Sequence, residues 1–294
     1  MLVEIRQFFL RNPNLGFLIG INLFVFLAIN FLRLIFFLWD LPGVANALSA
    51  WIGVSSNPDL ILTRPWTVFT YMFLHYGFFH IIFNLIVLYV GGRLFSEFIG
   101  AKQLPVTYVL GGLAGALFFV GAFNIFPVFA DVKHQAVAIG ASASVLSIFI
   151  AAAVYAPDYR LPLLLLGPVK LKYLAIFFVV IDILSIERGN PGGHIAHLGG
   201  ACWGLIYGLL VKSRVDPAKV IHRWMGSLGS MFKRRRKLKV KYSSARPLTD
   251  EEYNFQRAER QKEIDNILDK ISQRGYESLT ASEKELLFRI SKKN

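Results

Sequence analysis

Charge is scarce in this chain, and acid scarcer still: 17% of the 294 residues are charged, with 19 Asp+Glu against 32 Lys+Arg. A soluble surface for a chain this long needs more, so an ordinary soluble globule is excluded. Cysteine is almost absent. The single Cys202 excludes a disulfide framework or a cysteine metal cluster within one chain and reads as a small core residue. No cleavable leader is expected from the first residues. Residues 1–10 carry Glu4 and Arg6 and show no small-residue cleavage site ahead of the apolar run at 15–38. What is present is hydrocarbon: 54% hydrophobic residues and 26 Phe, with a mean hydropathy of +0.48. The apolar runs approach the roughly 20 residues that a helix needs to cross a bilayer.

Six runs read as membrane helices, near 15–38, 75–96, 103–124, 137–156, 170–186 and 193–212. The expected fold is therefore an all-α, polytopic bundle. Residues 39–74, with Trp39, Pro42, Trp51, Pro58, Pro65 and Trp66, are too long for a tight turn and read as a structured interfacial loop. The net charge of +13 lies mostly in the tail: from Lys212 onward there are 21 Lys+Arg and 11 Asp+Glu. A basic segment directly after a membrane helix points to positive-inside topology and anionic headgroups rather than nucleic acid. With six spans, both termini are then cytoplasmic, and a bacterial plasma (inner) membrane is the expected location. The division reads as a short N-terminus at 1–14, a membrane domain at 15–212, a basic linker at 213–249 and a C-terminal helical hairpin at 250–294. In the linker, Lys233-Arg234-Arg235-Arg236-Lys237 form a block suited to lipid headgroups or to plain solvation. In the hairpin, Ile264, Ile267, Leu268 and Ile271 recur at helical spacing, and Thr280-Ala281-Ser282-Glu283 is a capping box opening the second helix. This hairpin is a candidate site for a cytoplasmic partner.

Ionisable residues inside spans are expensive and therefore functional candidates. His80 and Asn84, four apart, share one helical face. Ser142 stands in Gly140-Ala141-Ser142 at the head of the fourth run, and His197 tops a face lined by Gly200, Gly204 and Gly208. Under the charge-derived topology spans two, four and six all run from outside to inside. His80, Asn84, Ser142 and His197 then lie roughly 8–15 Å below the outer ends of their helices, taking about 1.5 Å per residue. Four polar groups from three helices thus reach one depth. Serine with histidine suggests nucleophilic acyl transfer, with His197 taking the Ser142 proton. The Ser142 backbone N–H, His80 and Asn84 are candidate oxyanion donors. Asp182 reads as deep in span five and Glu97 as lying at the inner end of span two, so a Ser–His dyad is expected rather than a triad. Gly140-Ala141-Ser142-Ala143-Ser144 lacks the last glycine of a hydrolase nucleophile elbow and no strand precedes it, which excludes an α/β-hydrolase.

Taken singly, Ser142 would more often be a packing serine, the class in which Ser144 and Ser147 are left. His75 and His194 read as structural histidines, Gly111, Gly112 and Gly115 as close-packing glycines, and Asp182 as a buried partner or part of a water cavity.

The ordered combination of His80-x-x-x-Asn84, Gly140-Ala141-Ser142 and Ala196-His197-Leu198-Gly199-Gly200 with Gly204 resembles the rhomboid intramembrane serine proteases, over about residues 15–212. The resemblance implies a six-helix core, a Ser142–His197 dyad and an oxyanion hole with His80 and Asn84. It also implies cleavage of membrane-anchored proteins near the outer face without cofactor or metal. The loop at 39–74 would lie partly in the outer leaflet, and span five, with Phe177 and Phe178, would flank the substrate entrance. Two positions depart from the family's pattern: Ala143 stands where glycine is common, and Trp66 is followed by Thr67, with Arg64 two residues before it. A non-catalytic protein that binds client transmembrane helices in the same cavity is the alternative reading. A small transporter ranks last, because no internal repeat or interrupted helix pair supports it.

Overall fold

The computed structural model describes residues 7, 10, 12–163, 166–219 and 249–291. The chain divides into two compact units, Met1–Lys233 and Arg234–Asn294. In the first, prolines mark helix starts, where the N–H they lack would find no helical partner anyway. They open α1 (Pro13–Leu38), α2 (Pro42–Ile52) and α3 (Pro58–Thr63). Between α1 and the second apolar run, β1 (Val54–Ser55) and the short α4 (Thr67–Thr70) complete a folded connection. There follow α5 (Phe78–Phe95), α6 (Leu104–Ile125), β2 (Val137–Ala138) and α7 (Ser142–Tyr155). The hairpin β3 (Arg160–Leu163) and β4 (Gly167–Lys170) then leads to α8 (Leu171–Ser185) and α9 (Pro191–Lys212).

Helices stand at all six expected places, but a count of six crossings does not follow from their lengths. Among the described residues, three helical stretches are long and apolar enough to cross a membrane: Pro13–Leu38, Phe78–Ile125 and Pro191–Lys212. The second of these is α5 and α6, joined through a π turn and redirected at Gly100, whose φ is 130°. With 14 and 15 residues, α7 and α8 rise only about 21 and 22 Å, short of a hydrocarbon layer of roughly 30 Å. The fourth run also starts later than its composition suggests. Val137 and Ala138 pair with Ser55 and Val54 in an antiparallel ladder, so the helix begins only at Ser142.

The first unit is built around α7. Every residue from Ala143 to Ala153 is buried, which explains a run without polar periodicity. Its neighbours approach closely because they present glycine. A methyl at Gly115 of α6 would stand 2.5 Å from the Ala143 Cβ, and methyls at Gly200 and Gly204 of α9 would meet the Ala143 and Ser147 carbonyls. Lipid tails are as apolar as leucine, so such dispersion contacts hold the helices together inside a bilayer. On α1 the inward face buries Leu15, Leu18 and Asn22, while Phe17, Phe24 and Phe31 are exposed on the other. Asn22 donates to the Tyr108 hydroxyl at 3.0 Å, and that hydroxyl donates to the Met72 carbonyl at 2.9 Å, tying α1, α6 and the segment before α5.

The connection at 39–74 is clasped by Arg64, Trp51 and Trp66. Arg64 donates to the Ala50 carbonyl at 3.0 Å and lies 4.3 Å above the Trp51 ring. Trp66 stacks on Trp51 with centroids 6.0 Å apart and donates to its carbonyl.

The second unit contains α10 (Asp250–Arg274) and α11 (Ala281–Ser291). Both begin in capping boxes: Thr249 with Glu252, and Thr280 with Glu283. Ile267 and Leu279 are buried between them, and Lys270 reaches Glu283 at 3.0 Å. Leu268, which shares the helical spacing of Ile264, Ile267 and Ile271, is half exposed. The basic block at 233–241 lies outside the described residues.

Candidate active site

Three backbone events deliver Ser142. Gly140 has a φ of 121°, a conformation that L side chains rarely adopt, and a methyl there would stand 2.9 Å from the His80 Nε2. Only glycine satisfies both constraints. The Gly140 N–H donates to the Tyr71 carbonyl at 2.9 Å, and the Ala141 N–H donates to His75 Nε2 at 3.2 Å. His75 is fully buried. With Nε2 accepting, its Nδ1–H points to the Phe73 carbonyl at 3.3 Å. It is the structural histidine expected, and it straps down the turn before the serine. Ser142 is the first residue of α7, so its N–H belongs to the first turn, whose amides have no carbonyl within the helix.

His197 comes from the second turn of α9, which starts at Pro191. Asn190 caps that helix in the left-handed region, its side chain accepting from the Gly193 N–H at 3.3 Å. The glycine face of α9 brings the ring down on α7, and His197 Nε2 lies 2.6 Å from Ser142 Oγ. His80 and Asn84, on one face of α5, line the same cavity of about 410 Å³ as Ser142 and His197. The Asn84 side-chain amide donates to the His80 carbonyl at 2.8 Å, and the His80 ring meets the edge of His75 at a centroid distance of 4.9 Å. All four expected residues are thus brought together.

The expectation that no acid reaches the histidine is corrected. Asp182 Oδ1 lies 2.8 Å from His197 Nδ1 and 2.8 Å from His194 Nδ1. The misplacement has a simple cause: α8 runs in the opposite sense to α9 and ends at Ser185, so residue 182 is at its end and not at depth. Residues 186–190 fold the chain back, and Asp182 faces the first two turns of α9. The reversal of direction along the chain was the available signal. His194, expected to be structural, shares the same carboxylate. Glu97 sits in the turn after α5, away from this group.

Asp182, His194 and His197 also present three metal-type ligand atoms within 4.8 Å of one another. The separations of 2.8 Å are those of hydrogen bonds, whereas two ligands of one tetrahedral zinc stand about 3.3 Å apart. The arrangement is suited to moving a proton from Ser142 to His197, with an anion-stabilising helix start beside it.

The Ala143 methyl, a departure from the family's pattern, points away from this cavity into the space left by Gly115. Ser144 and Ser147 also face the packing, Ser147 donating to the Ser144 carbonyl at 2.7 Å and to Thr107 at 3.1 Å.

A family model described as the Rhomboid domain matches residues 62–214. A second, described as a family of unknown function (DUF6576), matches residues 249–293. The chain is 31% identical over 153 residues to RHOMBOID-like protein 12, mitochondrial, of Arabidopsis thaliana, covering 47% of this chain and 44% of that protein. It is 26% identical over 203 residues to Presenilin-associated rhomboid-like protein, mitochondrial, of Mus musculus, covering 64% of this chain and 50% of that protein. The Danio rerio protein named Presenilin-associated rhomboid-like protein A, mitochondrial, is 26% identical over 176 residues, 58% of this chain and 43% of its own. The chain thus spans about half the length of the curated relatives it matches. Their names are mitochondrial, and nothing in them supports the expected bacterial inner membrane. The Rhomboid-domain match covers more than half of the chain and contains His80, Asn84, Ser142 and His197, so this integral membrane protein belongs to the rhomboid family.

Proposed function

We propose that the protein is an intramembrane serine endopeptidase acting on membrane-anchored protein substrates near the outer face of the bilayer. The observation that carries the reading is the 2.6 Å approach of His197 Nε2 to Ser142 Oγ, below a cavity that also holds His80 and Asn84. Ser142 Oγ attacks the scissile carbonyl carbon and its proton passes to Nε2. The carbonyl oxygen, now an oxyanion, is met by the Ser142 N–H at the start of α7 and by His80 and Asn84. As the C–N bond breaks, His197 gives the proton to the leaving amine; water then repeats the sequence on the acyl-enzyme. No cofactor or metal enters these steps.

In this reading the helices at six places form the membrane domain, with both termini on the cytoplasmic side. The basic linker holds anionic headgroups, and the hairpin from 250 onward recruits a cytoplasmic partner. No specific observation favours the non-catalytic alternative. The test is covalent labelling of the purified chain by a fluorophosphonate together with cleavage of a transmembrane substrate. Both are expected in the wild type and neither in Ser142→Ala; cleavage that survives this substitution would sink the proposal.

A further inference from the structure

We propose that Asp182 is a positioning residue for this reaction: it selects the His197 tautomer that accepts the Ser142 proton, and His194 pins the carboxylate in place. The proposal rests on the serine-protease reading above.

A neutral imidazole carries one donor and one acceptor nitrogen. His197 accepts from Ser142 Oγ at Nε2 only when its proton is on Nδ1. With the proton on Nε2, ring and hydroxyl would face each other as two donors and the nucleophile would keep its hydrogen. A carboxylate at Nδ1 removes the ambiguity because it can only accept. Asp182 Oδ1 is at 2.8 Å, the length of a charge-assisted hydrogen bond. The ring is thereby held between two partners, with Ser142 at Nε2 and Asp182 at Nδ1.

The placement of Asp182 fits this task better than a purely structural one. Its residue is 6% exposed, and a carboxylate inside a membrane domain is costly unless donors surround it. Helix seating alone would be served by the His194 Nδ1–H, at 2.8 Å from the same oxygen. The second bond, to the histidine that touches the serine, adds nothing that seating requires. Within α8 only Leu171 and Asp182 are buried, so the acid is the one buried residue in the half of that helix that lines the cavity. When Nε2 takes up the Ser142 proton, the ring becomes a cation beside a fixed anion. The Nδ1 proton stays in its hydrogen bond, and Asp182 is not itself protonated at any step. The Nε2 proton leaves with the amine product, which restores the starting tautomer.

The test uses the full-length chain in lipid nanodiscs, with wild type, Asp182→Asn, His194→Gln and Ser142→Ala compared on one transmembrane substrate. In Asp182→Asn the amide can turn its N–H towards Nδ1 and favour the unproductive tautomer. A fall in kcat on the order of 10²-fold or more is expected, with KM within about twofold. His194→Gln, which loosens the carboxylate, should lose about tenfold in kcat. A histidine 15N spectrum of the wild type should show His197 protonated at Nδ1 and bare at Nε2, and in Asp182→Asn this signature should be lost. A folded Asp182→Asn that keeps kcat within about threefold, or whose loss appears only in KM, overturns the proposal. If Asp182→Asn does not fold, the wild-type spectrum decides, and a proton on Nε2 overturns it. Inactive Ser142→Ala with active Asp182→Asn removes this proposal alone, whereas active Ser142→Ala removes the protease reading itself.

Discussion

The Ala143 methyl fills the space that Gly115 leaves empty. A Cβ on Gly115 would lie 2.5 Å from that methyl, inside any real carbon–carbon contact. The two positions form one complementary pair across the α6–α7 contact, immediately behind the Ser142 backbone.

Gly115→Ala should therefore destabilise the fold by about 1–3 kcal/mol through overpacking. Ala143→Gly in the same chain should recover part of that loss, the tight 3.0 Å approaches to the Ala196 carbonyl and the Tyr71 hydroxyl remaining, although Ala143→Gly alone is mildly destabilising. A double-mutant cycle on thermal unfolding in detergent measures the coupling, and additive effects would contradict the pairing.

His80 and Asn84 should behave as donors to a developing charge rather than as packing residues. His80→Ala and Asn84→Ala are each expected to lower kcat by roughly 10²–10³ with a smaller change in KM. Steady-state cleavage of a transmembrane substrate checks this, and equal losses in binding and turnover would count against it.

The clasp of Arg64 and Trp66 on Trp51 should hold the connection at 39–74 in place. Arg64→Ala removes the bond to the Ala50 carbonyl and the stacking over the Trp51 ring, the latter worth about 0.5–2 kcal/mol. Faster proteolytic nicking within 39–74 is expected, and Arg64→Lys should restore only part of the protection, since an ammonium cannot reproduce the planar contact.

The hairpin should show a pH dependence of definite sign. The Thr280 backbone N–H, then Lys270 and the Thr280 hydroxyl, hold the Glu283 carboxyl at about 2, below its ordinary 4.5. A depressed carboxyl stabilises the fold fully above the unfolded value and loses that contribution as pH falls towards 2. Amide exchange across 249–291, compared between wild type and Glu283→Gln at each pH, should differ clearly near neutrality. The difference should fade between about pH 4.5 and 2.

Much of the architecture was legible because a helix repeats on a short period. The convergence of Ser142, His197, His80 and Asn84 was expected from chain direction and rise per residue, and the structure brings these residues to one cavity. The same bookkeeping applied to α8, which precedes α9 and meets its first turns, places Asp182 beside His197, because the chain reverses between Ser185 and Pro191. The Thr249–Glu252 cap carries the same spacing as Thr280–Glu283 and was visible in principle. Two features were not. The fit of Ala143 to Gly115 depends on the rotation of two helices about their axes, which hydropathy does not encode when all sides of α7 are buried. The late start of α7 depends on the pairing of Val137 with Ser55, a contact across more than eighty residues.

The glycine contacts that bring α6 and α9 against α7 have a thermal consequence. Heat capacity rises on unfolding mainly because apolar surface meets water. Pulling these helices apart within a bilayer exposes Gly115, Ala143 and Gly200 to acyl chains instead, so most of that increment is missing. The free energy holding the helices around Ser142 therefore changes gently with temperature, without the strong curvature of a soluble core, and cold should loosen the site far less than it loosens a soluble protease.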